Sequence, residues 1–237
     1  MSDQTDEFAK AAQEIAKTGG KGIEATRDLG EFVAKFIGGP LEQASGIVED
    51  HMRYVRWERQ IRLSNRAEKF LQERGLDAPT RAVPIKVAIP LFQAAWVEEN
   101  DELQDMWARL LTSAADARSD VEVTRGLVSV LQDLGPMEAH VLESIYDAPP
   151  ELSPNGVVTT ECLPEGHKLP GKSENSDAKL PREEVQIALW HLKRLGCIDA
   201  AGTWDSITGI ARVRLTELGR TLIHACTNKQ ISRMLGE

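Results

Sequence analysis

The chain is short of aromatic residues, of cysteine and of positive charge, and each shortage excludes something. No apolar run approaches the ~20 residues that a membrane-spanning helix needs. Its three cysteines, Cys162, Cys197 and Cys226, are too few and odd in number for a disulfide framework. The opening MSDQTDEFAK is polar and acidic where a secretory leader would be basic and then apolar, so a cytoplasmic protein is expected. Lys and Arg are outnumbered 28 to 37, for a net charge of -9, so anion binding, if any, has to be local.

The arrangements on which catalysis is built are also missing. Gly19-Gly20-Lys21-Gly22 lacks the spacing and the preceding strand of a phosphate loop. The carboxylates Asp101, Glu102 and Asp105 are explained by a helix start. Cys162, His167, Cys197, His224 and Cys226 contain no C-x2-C pair, and His224 and Cys226 sit two apart on a helix, pointing to different sides. The sequence predicts no enzyme, no metal, no cofactor and no small-molecule substrate.

What the chain does have is helical periodicity. Over residues 100–117, Leu103, Met106, Trp107, Leu110, Leu111 and Ala114 follow the i, i+3, i+4, i+7 pattern of one buried stripe. Asp101 with Gln104 reads as a capping box. Before it, 8–37 keeps a near-heptad repeat broken by glycines and stopped by Gly38-Gly39-Pro40. This stretch either packs on the core or a second copy of the chain, or lies on a membrane surface, a reading its acidic polar side disfavours. A second helix is expected over 41–74, burying Val48, Met52, Val55, Leu63, Ala67 and Phe70. A third starts at Pro84 and is kinked or split by Pro90, and a further helix is expected over 122–134.

The segment 51–74 is the one basic stretch, with seven basic and three acidic residues. Arg53, Arg56, Arg59, Arg62 and Arg66 recur at spacings of three and four, with Tyr54 and Trp57 among them, a chemistry suited to phosphates and stacked bases. In an acidic protein the favoured reading is the other one, a solvated face whose arginines pair with Glu58, Glu68, Glu73 and the acids at 98–105.

Gly135-Pro136 marks a change of character. A short helix burying Val141, Leu142 and Ile145 is followed by a long loop over 148–180, in which only GVVTT resembles a strand. LPREEVQIALWHLKRLG then reads as a helix ending at Gly196, CIDAA and IARVRL as a hairpin, and TELGRTLIHAC as a helix capped by Thr216. The expected fold is therefore mainly α: an N-terminal helical unit followed by a winged-helix-like α+β unit. The divisions are an amphipathic segment at 1–40, a helical scaffold at 41–135 and the winged-helix-like unit at 136–237. Arg212 and Arg214 on the hairpin are candidate phosphate contacts, and strand alternation equally places them facing solvent. Glu183 and Glu184 would face phosphates if their helix entered a DNA groove, which disfavours DNA reading by it despite Trp190 and His191.

The segment AVPIKVAIPLFQAAWVEENDELQDMWARLLTSAAD, followed by LVSVLQDLGPMEAHVLESI, resembles the abortive-infection alpha family of bacteria, a group associated with phage defence. The likeness spans about 63–145 and is carried by the acidic turn with Leu103, Trp107, Ala108, Leu110 and Leu111. It implies a shared helical scaffold and a defence role and transfers no catalytic residue. The expectation is a non-enzymatic anti-phage protein acting through a protein partner, self-association or sensing. Two other readings remain open: a nucleic-acid regulator using the arginines, and a membrane-perturbing effector using 8–37.

Overall fold

The computed structural model of the chain describes residues 30–38, 57–169, 179–201 and 209–227, which hold eight α-helices and three short strands. Helix α1 covers residues 30–37 and buries Phe32, Val33, Phe36 and Ile37. Phe32 meets Phe92 edge-on at 6.0 Å, and Val83 N donates to Phe36 O, so this piece is fixed to the core. The rest of the heptad stretch, 8–29, lies outside the described residues, as does the first part of the expected second helix. Helix α2 is described over Trp57–Glu73 and buries Leu63, Ala67, Phe70 and Leu71.

Helix α3, Ile85–Val97, runs on with Pro90 inside, so of the two expectations at that proline, a kink or a split, the split is excluded, and Pro84 stands at the N-cap rather than in the first turn. The carbonyl that Pro90 leaves without an N–H donor belongs to Lys86, an exposed residue. Helix α4, Asp101–Ala115, is the packing centre, with eleven of its fifteen residues buried. The capping box on Asp101 is corrected too. Asn100 is the cap, extended at ψ 129°, and its side-chain oxygen accepts from Glu102 N and Leu103 N at 3.0 Å each. Gln104, one position past the box, turns instead to α3, donating from Nε2 to Ala95 O at 2.7 Å and Glu98 O at 3.1 Å. That bond pair holds the 98–100 connection closed.

Helix α5, Arg125–Gln132, is shorter than the 122–134 expectation, starting at a Thr124 cap. Ahead of it Val121 and Val123 are buried while Asp120 and Glu122 are exposed, the alternation of extended chain rather than of a helix. Helix α6 is Pro136–Tyr146, with Pro136 in its first turn.

The remaining elements follow as β1 (Val157–Thr159), α7 (Glu183–Arg194), β2 (Ile198–Ala200), β3 (Arg212–Leu215) and α8 (Glu217–Cys226). The strands form one antiparallel sheet in the order β1-β3-β2, with Val213 opposite both Val158 and Ala200. Gly196 has φ +76° at the end of α7, the left-handed stop expected there, and Thr216 Oγ1 accepts from Gly219 N to cap α8. The described part of the loop after β1 is not slack: Leu163 is buried, Ser144 Oγ donates to Pro164 O at 3.0 Å, and His167 Nε2 lies 2.7 Å from Ser144 O. The loop portion 170–178 and the hairpin turn 202–208 lie outside the described residues. One continuous cluster of buried side chains runs from Phe32 to Cys226, through both sides of Gly135-Pro136.

Candidate interaction surface

Two arginines of α2 meet the acids of α4. Arg66 Nη2 lies 2.6 Å from Asp101 Oδ1, and its Nη1 reaches Asp101 O and Asp105 Oδ1. Arg62 Nη1 stands 3.8 Å from Asp101 Oδ1. The structure thus gathers Arg62 and Arg66 on the first turn of α4, where helix dipole and carboxylates are already paired. Arg59 lies in α2, and Arg53 and Arg56 fall outside the described residues. On the sheet, Arg214 is exposed and its Nη2 is 3.9 Å from Asp199 Oδ2 on the neighbouring strand; Arg212 is half-buried. The scaffold residues Leu103, Trp107, Ala108, Leu110 and Leu111 are all buried in α4.

Helix α7 has two distinct faces. Val185, Ala188, Leu189 and Leu192 are buried, and the helix packs on α6. One flank is tied down by His191, whose Nδ1 is 2.9 Å from Glu138 Oε1 and whose Nε2 is 2.8 Å from Arg194 Nη2. Arginine can only donate, so Nε2 accepts and the imidazole proton sits on Nδ1, toward Glu138. The outer face carries Ile187, 63% exposed, and Trp190, 51% exposed, with Lys193 Nζ 5.1 Å from the Trp190 ring centre. Glu183 and Glu184 occupy the first turn of the helix, and Lys193 and Arg194 its last. Ile187 is the residue that sequence reasoning missed. The signal was available: two large apolar side chains, i and i+3, lie off the stripe that Val185, Leu189 and Leu192 define.

The far end of α4 joins the two halves of the chain. Ser113 Oγ donates to Ala225 O at 2.7 Å and accepts from Arg74 Nη2 at 2.8 Å, linking the ends of α2, α4 and α8. Arg81 Nε and Nη2 donate to Ala114 O and Ser113 O, and Thr80 N and Arg81 N both donate to Ala115 O, so the last carbonyls of α4 are served by one loop. Asp116 closes the helix. Burial opposes its charge, yet hydrogen bonds from the Arg118 side chain and amide, with the charges of Arg118 and Arg74, hold its carboxyl below the ordinary range. Burial draws Arg74 below the usual guanidinium value, and Asp116 opposes that.

Burial pushes the Cys197 thiol up to about 11 and the Cys226 thiol further, which makes both poor nucleophiles. Among the described residues no group of three or more His, Cys, Asp or Glu is placed to hold a metal ion, and no helix is long and apolar enough to cross a membrane.

Compared with known proteins, the chain matches a family model described as abortive infection alpha over residues 58–226. The match runs past Ile145, where the sequence resemblance stopped, and takes in the sheet, α7 and α8. No curated protein and no solved structure matches the chain.

Proposed function

Because the chain belongs to the abortive-infection alpha family, we propose that it is a non-enzymatic bacterial defence protein, acting in the cytoplasm by contact with a protein partner. The observation that carries this reading is the outer face of α7. A solvated helix gains nothing from holding Ile187 and Trp190 in water, and exposed aromatic anchors are what protein interfaces bury. The order α6, β1, α7, β2, β3, α8 and the sheet order β1-β3-β2 support a winged-helix-like unit, in which α7 takes the place of the recognition helix. Its acidic first turn favours a protein over nucleic acid at that position. A partner seated on α7 would bear on α6 beneath it, which in turn packs on α8, and through the bond from Ser113 to Ala225 on the helical scaffold.

The test is a phage challenge of cells carrying the wild-type gene or a Trp190→Ala variant, at low and high phage dose. Protection at low dose, with culture collapse at high dose, and loss of protection in the folded variant would support the reading. Phage sensitivity unchanged by the gene would remove the defence role. Full protection by the variant would remove α7 as the contact surface.

A further inference from the structure

The outer face of α7 has an order that a partner of unrelated shape would not require. At 100° per residue, Glu183, Ile187, Trp190 and Arg194 fall within roughly 60° of one another, a single line along the helix. Read along that line the chemistry is acidic, apolar, apolar, basic. The midpoint between Glu183 and Arg194 is also the midpoint between Ile187 and Trp190, at the step from Ala188 to Leu189. We propose that α7 is a self-complementary interface on which two copies of this chain pair antiparallel about a two-fold axis passing that step.

The operation puts Glu183 of each copy opposite Arg194 of the other and lays each Ile187 beside the other copy's Trp190. One patch thereby meets itself, as a two-fold dimer demands. Helix polarity alone accounts for an acid at the first turn and a base at the last. It does not account for two large apolar side chains exposed between them, centred on the same point. A face for some other protein would need the apolar pair without needing the charges set symmetrically about it. Twelve residues of helix extend about 18 Å, and so short a contact falls below the ~800 Å² per partner of a standard stable interface. The pairing is accordingly reversible and depends on concentration. The assignment rests on the reading of α7 as a protein-contact surface and names the partner that this surface takes.

Sedimentation velocity of the full chain over a wide concentration range tests it, with wild type, Trp190→Ala, Glu183→Arg and Arg194→Glu, each checked for wild-type circular dichroism. Wild type should pass from monomer to dimer with increasing concentration, and each variant should weaken the pairing at least tenfold. An equimolar mixture of Glu183→Arg and Arg194→Glu should recover the dimer, because each copy then supplies the charge that the other needs. A monomer at every concentration, a dimer indifferent to all three substitutions, or a mixture that stays monomeric would each overturn the proposal. The two readings fail separately. A monomeric protein that still protects cells through Trp190 keeps the defence role and removes the pairing, whereas a dimer with no effect on phage keeps the pairing and removes the defence role.

Discussion

Ser113 Oγ donates to the carbonyl oxygen of Ala225 at 2.7 Å, across 112 residues of chain. The same oxygen receives Arg74 Nη2, so one small hydroxyl satisfies a helix-end carbonyl and a partly buried guanidinium at once. That hydroxyl stands where the ends of α2, α4 and α8 meet.

Replacing Ser113 by Ala should therefore cost more than an average surface hydrogen bond. The Ala225 carbonyl loses a donor and Arg74 loses an acceptor where water has poor access, so a loss of about 1–3 kcal/mol is expected. Urea denaturation monitored by circular dichroism measures it. A change under about 0.5 kcal/mol would mean that the surroundings relax to serve both groups.

Gly219→Ala should be among the most damaging single-methyl changes in the protein. A Cβ at that position would stand 2.1 Å from Cys197 O and 2.9 Å from its carbonyl carbon, which are backbone atoms and cannot swing aside. The expected loss is at or above the top of the roughly 1–3 kcal/mol typical of overpacking. Gly126→Ala is the matched control, since its added Cβ meets only Thr124 Oγ1 at 3.5 Å, and it should leave stability unchanged or raise it by up to about 1 kcal/mol. Equal midpoints for the two variants in chemical denaturation would sink this account.

Asp116 makes the acid limb of stability sensitive to one carboxylate. Its folded value is lowered, so its contribution is fully present above the unfolded carboxyl value of about 3.9 and is lost as pH falls through the lower folded value. Asp116→Asn should weaken the protein at pH 7 and flatten its loss of stability below about pH 4. Denaturation curves from pH 7 down to pH 3 check both, and parallel acid limbs for wild type and variant would show that Asp116 does not contribute.

Where a structural decision depended on neighbours in sequence, it was readable. The stripe on α4, the stop at Gly196, the Thr216 cap and a strand within GVVTT, at Val157–Thr159, all follow from local pattern, and each is present. The cap of α4 was misplaced by one residue because Asn100 and Asp101 both have capping side chains, and only the extended backbone at Asn100 decides between them. The start of α5 was misplaced because apolar residues at 121 and 123 fit either a helix or an alternating extended segment until their exposed neighbours are known.

The candidate surface was less legible. Charge counting left Arg62 and Arg66 either as anion contacts or as partners of the acids at 98–105, and only the fold shows which acids they meet: Arg62 stands near Asp101, and Arg66 reaches both Asp101 and Asp105. Trp190 drew notice in the sequence beside His191, whereas Ile187 is informative only against the burial of its own helix. The bond from Ser113 to Ala225 has no sequence signal at all, because any serine in a helix looks the same until a second helix end arrives beside it.

The sheet that supports α7 has a consequence for how copies of the chain can associate. Its outer strands, Val157–Thr159 and Ile198–Ala200, are three residues each, with Val213 of the central strand already paired on both sides. Edges this short offer an incoming strand few main-chain groups to template on, and brevity of this kind is one of the ways sheets resist edge-to-edge aggregation. Recruitment of further copies by strand addition is thus poorly served, whereas pairing through the outer face of α7 would be a closed two-fold contact with no ladder to propagate.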